Sequence, residues 1–271
     1  MRWLAKTLLF LLVCTTARAQ LATVPPVGPK ALGMGGITSL SADHWAVLNN
    51  PGGIADLESI SGFVSYRTIF DFAPFNTVSA GVVVPTGFGQ AGLGVFRFGD
   101  DLFNTQMLSF SFARKVGIMQ LGVKASYLQL NIEGFGSRGV FVSDIGGIAQ
   151  LTPELVFGAH IYNFSQSALS TETGERVPTI IRLGLAYQPN EQFALMIEGE
   201  KDVDLDPDIK VGLQYQLIEP LYLRTGFSGL SNTHSFGGGL TLKKFVVDYG
   251  VRIDRDLGST HNLGISFFPR R

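Results

Sequence analysis

The stretch KVGLQYQL, Lys210 to Leu217, decides how the chain is to be read. Val211, Leu213, Tyr215 and Leu217 are apolar, and Lys210, Gly212, Gln214 and Gln216 between them are polar or glycine. A period of two is the period of a β-strand, whose successive side chains point to opposite faces. The segment therefore has one greasy face and one wet face.

The same alternation runs outward from it in both directions. Leu121, Val123, Ala125 and Tyr127 alternate with Gln120, Gly122, Lys124 and Ser126. Ile181, Leu183, Leu185 and Tyr187 alternate with Arg182, Gly184 and Ala186, and Phe245 to Ile253 follows the pattern around Asp248, Gly250 and Arg252. Fourteen such segments are predicted, near residues 60–68, 77–85, 89–98, 105–114, 118–132, 139–151, 154–163, 178–188, 192–201, 208–217, 220–228, 234–242, 245–254 and 260–268. Most have about ten residues, the length of a tilted strand that crosses a bilayer.

The connections sort into two sets. Pro85-Thr86-Gly87, Arg114 to Gly117, Thr152-Pro153, Pro189-Asn190, Ile218-Glu219-Pro220 and Lys243-Lys244 are tight. Gly99 to Asn104, Glu133 to Arg138, Asn163 to Val177, Lys201 to Pro207, Ser228 to Asn232 and Asp254 to Ser259 are longer and more polar. Short turns at one end and longer loops at the other are the mark of an outer-membrane barrel. A soluble sandwich would bury its apolar faces between two packed sheets and has no reason to sort its loops. The expected fold is thus all-β, a transmembrane antiparallel barrel of about fourteen strands over residues 59–271.

Composition agrees. The chain is 45% hydrophobic and 16% charged, yet beyond the N-terminus no run approaches the ~18 apolar residues of a membrane helix. Residues 1–19 read as a secretory signal peptide, with Arg2 and Lys6, the apolar Leu8 to Val13, and Ala17-Arg18-Ala19 as the cleavage site. A lipoprotein signal ending at Cys14 is the rival reading, opposed by Val13 and Thr15 on either side. Removing Arg2, Lys6 and Arg18 from 21 basic residues leaves 18 against 22 acidic ones, a formal charge of −4, and takes away the single cysteine. Disulfides and thiolate metal sites are then excluded, and an acidic exported chain makes a poor nucleic-acid binder.

A barrel in lipid turns its apolar set outward. Lys124, Arg182, Lys210, Gln214, Arg224, Asp248 and Arg252 then face the lumen, because a charge on the lipid side at mid-membrane costs about 2–4 kcal/mol. Residues 20–58 do not alternate. They hold Gly33, Gly35 and Gly36, a Trp45, and an Asn50-Pro51-Gly52-Gly53 turn. Ser41 or Asp43 is placed to cap a short helix through His44 to Leu48, which Asn50-Pro51 would end. A compact segment tethered just before the first strand of a wide barrel is expected to fold into the lumen as a plug, or hatch.

At these residues the sequence resembles the FadL-type outer-membrane proteins, and more narrowly their PorV/PorQ branch. The likeness lies in Ala31-Leu32-Gly33-Met34-Gly35-Gly36, Ser41-Ala42-Asp43 and Asn50-Pro51-Gly52-Gly53-Ile54-Ala55, with Gly52 where the family pattern has alanine; His261 to Phe268 resembles that branch's last strand. The resemblance implies a fourteen-stranded barrel with an N-terminal hatch in the outer membrane of a Gram-negative-type bacterium. It also implies two alternative roles. One is an accessory or cargo-binding component of type IX-like secretion, whose partners are other secretion components or secreted cargo. The other is a FadL-type carrier of hydrophobic small molecules, fatty acid or hydrocarbon, with a lateral opening near the third strand. Gly87, Gly89, Gly92 and Gly94 mark that strand, and a glycine there permits a bend or bulge. The secretion role is the first expectation, because a carrier needs an apolar path through the lumen and the inward residues named above are largely polar, glycine or charged. A structural barrel with no transport role is the third reading.

Other constellations are weaker. Gly87 to Gly92 fits G-x-G-x-x-G, but it sits between two strands with no helix to receive a pyrophosphate. Asp202, Asp204, Asp206 and Asp208 alternate along one loop and form a candidate calcium site, without the glycine and glutamate of an EF-hand. His234 and His261 lie near Ser235 and Ser259, with no elbow or helix to aim a nucleophile. The expectation is a protein without catalytic activity or cofactor, in contact with outer-membrane lipid.

Overall fold

A computed structural model describes residues 25–169 and 176–268. The expected signal peptide lies outside the described residues. Fourteen strands follow one another in sequence: β1 (Ser61–Ile69), β2 (Phe72–Thr86), β3 (Gly89–Gly99), β4 (Phe103–Val116), β5 (Met119–Ile132), β6 (Gly136–Thr152), β7 (Leu155–Tyr162), β8 (Ile180–Asn190), β9 (Phe193–Asp202), β10 (Asp208–Ile218), β11 (Leu221–Ser228), β12 (Thr233–Leu242), β13 (Phe245–Asp254) and β14 (Gly258–Phe267). Each pairs antiparallel with its neighbours, and β1 closes on β14 from Gly62 opposite Phe267 to Thr68 opposite His261. Closure leaves no unpaired strand edge, the condition for a sheet to sit in hydrocarbon.

The alternation has the sense that lipid requires. Val64, Val95, Phe110, Val123, Leu183, Ile197 and Ile265 all stand exposed on the outer surface. Lys124, Arg182, Lys210, Arg224 and Asp248 point inward and are buried, with Gln214 and Arg252 half-buried on the same side. On β4 and β5 the outer face turns polar towards one end. Asn131 donates to Asn104 at 2.8 Å, Gln106 to Asn104 at 3.0 Å and Gln129 to Asn131 at 3.1 Å. These side-chain amides satisfy one another where the apolar belt stops.

Two local expectations change. β2 begins at Phe72 rather than near residue 77, because β1 and β2 are joined by only Phe70-Asp71, at φ 55° and 53°. A two-residue turn with both residues left-handed matches the strand twist, but it is seldom built from Phe, so the sequence reads as a longer loop. The second set of connections is also shorter than expected. The turns at the end where β1 starts and β14 finishes have two residues each, whereas at the other end the strands run on and leave residues 100–102, 133–135, 203–207, 229–232 and 255–257. Only the connection between β7 and β8 is long there.

Ahead of β1, the chain forms a short helix, α1 (Pro29–Gly33), and two 3-10 turns, His44–Val47 and Pro51–Ile54. Asp43 caps the first 3-10 turn by accepting from Trp45 N at 3.1 Å. The expected helix through Leu48 is thus a single tighter turn, and Asn50-Pro51 opens a second turn rather than only ending the first. Val27 to Val47 is mostly buried, and Leu48 to Ala55 wholly so.

Candidate functional site

The inward faces of the strands meet residues 27–55 directly. A Cβ added to Gly226 would lie 2.2 Å from Gly35 N, one on Gly122 2.5 Å from Pro51 C, and one on Gly250 2.4 Å from Pro29 O. On β3, a Cβ at Gly92 would come 2.1 Å from Val47, and one at Gly94 2.6 Å from Leu48. Inward glycines are therefore seats for the leading segment. Gly35 and Gly36 themselves sit at φ 72° and 86°, a backbone that suits glycine, and Gly33 faces Gly237.

Polar groups tie the segment in place. Asn50 donates to Ser39 O at 2.6 Å, Gly147 O at 3.2 Å and Ala159 O at 3.3 Å, while its Oδ1 accepts from Gly52 N. Glu198 Oε2 accepts from Thr38 N and Ser39 N at 2.9 and 2.7 Å. Lys124 Nζ donates to Leu48 O and Asn49 O. Lys30 pairs with Asp43 at 2.8 Å. Burial pushes the Asp43 carboxyl up, but Lys30 and His44 outweigh it and hold the group below its ordinary value.

The tying residues belong to one band of charge. Register sets Lys124 opposite Asp144, His160 opposite Arg182 and Arg182 opposite Glu200. The resulting pairs are Lys124–Asp144 at 2.7 Å, His160–Asp144 at 3.5 Å, Arg182–Glu200 at 2.5 Å and Lys210–Glu200 at 2.8 Å. Arg224 bonds Asp248 at 2.5 Å and Gln214 at 2.8 Å. Buried charges persist only where they are paired and hydrogen-bonded, and most of this band meets that demand.

Towards the end away from the chain termini the lumen changes character, which corrects the expectation of a polar interior. Phe96, Met107, Leu128, Leu130, Val142 and Tyr162 all point inward and are buried. They form one apolar cluster with Trp45, Val47, Leu48 and Ile54 of the leading segment. At the mouth the cluster continues through Phe98 and Phe103 into a cavity of about 710 Å³ lined also by Ile69, Phe72, Phe75 and Pro25. Phe72, Phe75, Phe98 and Phe103 form a chain of ring contacts, 5.0, 5.7 and 6.4 Å between successive centroids. The lumen therefore carries an unbroken apolar line from mouth to leading segment, packed rather than open. Sequence reasoning missed it because Tyr127-Leu128 and Phe141-Val142 are apolar on both faces, and period-two contrast vanishes there.

The remaining candidates fall elsewhere. β3 has no bulge: its pairing is unbroken from Thr77 opposite Phe98 to Thr86 opposite Gly89, and from Gln90 opposite Ala113 to Gly99 opposite Asn104. Its glycines make room for Val47 and Leu48 instead of bending the strand, while Gly87 lies in the β2–β3 turn and Gly89 against Ala113 O. The loop carboxylates do not converge on a cation. Asp202 accepts from Asp204 N, Asp208 accepts from Ser228 Oγ and Leu230 N, and no group of three or more His, Cys, Asp or Glu side chains gathers among the described residues. The ring nitrogens of His261 go to Tyr249 Oη at 2.6 Å and Asp71 at 3.4 Å, which leaves neither for Ser259.

A closed fourteen-stranded antiparallel barrel with an apolar exterior is an outer-membrane protein by architecture. Among solved structures the chain is similar to FadL-family outer-membrane channels. The Pseudomonas putida toluene transporter TodX superposes with a TM-score of 0.64 at 12% identity, over 92% of this chain and 99% of that one. The Ralstonia pickettii toluene transporter TbuX gives 0.61 at 15%, over 90% and 97%. A Pseudomonas aeruginosa FadL homologue gives 0.63 at 13%, over 92% and 99%. No family model and no curated protein matches the chain. At these identities the likeness is one of fold.

Proposed function

We propose that the chain carries hydrophobic small molecules through the outer membrane, with the aromatic mouth as the place of capture and residues 25–58 as a hatch in the lumen. The observation that carries this reading is the apolar line from Phe72 and Phe98 through Met107 and Leu128 to Val47 and Leu48. Apolar pockets with few polar groups suit apolar ligands, and a barrel that merely spans the membrane has no need of aromatic side chains turned inward at its mouth. The fold likeness to proteins named as toluene transporters supports the same reading. The role in type IX-like secretion, first in order from the sequence, draws no support from these similarities. The PorV/PorQ motif residues, Gly35 and Asn50 among them, serve here to seat the leading segment.

The test is entry of toluene and of a long-chain hydrophobe into cells whose outer membrane otherwise excludes them. Expression of the chain is expected to accelerate entry, and Leu128→Arg, which places an unpaired charge on the apolar line, is expected to abolish the gain while the barrel still inserts. Equal entry with and without the chain, together with stable capture of secreted proteins in a gentle-detergent pull-down, would return the secretion role to first place.

A further inference from the structure

We infer that the lipid side of β3, β4 and β5 holds a phosphorylated glycolipid of the outer leaflet, with its phosphate on Arg97, its sugar on Gln106 and Gln129, and an acyl chain along Val95 and Leu108. The inference concerns the outside of the barrel and does not depend on the carrier reading.

Register lays two outward rows one above the other on these strands. The lower row runs Val95, Leu108, Tyr127, Phe141, and all four are exposed. Tyr127 and Phe141 meet at 5.2 Å between ring centroids. Outward aromatic side chains mark the level at which hydrocarbon gives way to head groups. The upper row runs Val78, Arg97, Gln106, Gln129. It stands one step nearer the end with the longer connections, which faces the cell exterior. A groove of about 500 Å³ joins the rows, its apolar part formed by Val78, Val95 and Leu108 and its polar part by Arg97, Gln106 and Gln129.

The polar part has partners to spare. Gln106 and Gln129 donate through Nε2 to Asn104 and Asn131, and their Oε1 atoms accept from no other described residue. Amide oxygens of this kind accept from sugar hydroxyls. Arg97 meets Asp101 at 3.6 Å, and the Asp101 side chain is fully exposed. Such a surface pair is worth little, whereas a guanidinium grips a phosphate through two parallel bonds. A cation on the lipid side is tolerated at the interface and not at the midplane, and Arg97 lies at the level where an anionic head group can meet it.

The polar row is also local. At the same end of β8 and β10 the outward face stays apolar up to Ile181 and Ile209, the second residues of their strands. A row that only marked the water level would recur on those strands. The outer leaflet of a Gram-negative outer membrane displays a phosphorylated glucosamine disaccharide on several acyl chains. The groove offers the matching partners in the matching order: a cation, amide oxygens, then an apolar wall.

The experiment places the purified protein in phosphatidylethanolamine bilayers doped with lipid A, with lipid A stripped of its phosphates, or with phosphatidylglycerol. After gentle extraction, the lipid that stays bound is counted. Lipid A is expected to be retained about tenfold over its stripped form, the scale of a charge-assisted bond. Arg97→Gln should remove that gap and Arg97→Lys keep part of it. Gln129→Leu should lower retention of both forms, because it takes away a sugar contact and no charge. Arg114→Gln, which removes an exposed outward cation at the other end of β4, should leave the gap unchanged. The comparison of the two lipid A forms needs no variant, so it decides the matter even where a substitution disturbs folding. Equal retention of the two forms, or a gap that survives Arg97→Gln, would overturn the inference. So would phosphatidylglycerol held as tightly as lipid A, which would mark a surface for any anionic lipid.

Discussion

The charged band and the apolar half of the lumen share the same strands and do opposite work. On β5, Lys124 belongs to the band and Leu128, two inward positions further on, to the apolar line. On β8 the order is Ile180 then Arg182, and on β7 Tyr162 lies one inward position from His160. The band grips the backbone of the leading segment at Leu48, Asn49, Thr38 and Ser39. The apolar half touches the same segment through the side chains of Val47 and Leu48. The first kind of contact is the costlier to break, because losing one partner strands a buried charge, whereas apolar side chains re-pack.

Substitutions that hit one region and spare the other test that division. The largest effect is expected from Asp144→Ala, which leaves Lys124 buried without its counter-charge and costs on the order of 3–5 kcal/mol. Loss of heat-modifiable mobility at lower urea would record it. Gly92→Leu comes next: the added side chain runs into Val47 and forces either the segment or β3 aside, at about 1–3 kcal/mol of overpacking. If the segment gives way, small hydrophilic solutes will leak through liposomes carrying the variant, and tight liposomes would show that the band alone keeps the segment seated. Asn50→Ala removes three donor contacts to backbone carbonyls and is expected to cost about 1–3 kcal/mol, seen as earlier proteolysis between residues 25 and 58. Met107→Gln sharpens the contrast from the other side: stability should fall by only about 1–3 kcal/mol, but hydrophobe entry should fall with it. Asp204→Asn in the loop beyond β9 is the smallest, within about 0.5 kcal/mol and unaffected by calcium. A calcium-dependent shift in its unfolding midpoint would restore the loop carboxylates as a cation site.

Part of this was legible in the residues. Segments such as Lys210 to Leu217 announce a strand because alternation is local, and fourteen of them with tight turns sorted to one end leave few architectures. The polar face could also be assigned, since lipid forbids Arg182 or Lys210 from pointing outward. The seats at Gly226 and Gly122 could not be seen, because a glycine in an alternating strand reads equally as a bend, a bulge or a gap. Nor could the pairing of Lys124 with Asp144, which register alone creates, or the boundary beyond which the inward face of β5 and β6 becomes apolar.

The chain by itself determined that it would form a closed cylinder with a greasy outside, since a two-residue period and the cost of charge in hydrocarbon act on each strand separately. Only the folded molecule decided what the inside is for. Residues 27 to 55 find partners on strands more than two hundred positions away, and closure of the barrel sets Thr68 opposite His261. Contacts of that range depend on register and curvature, which no local pattern encodes.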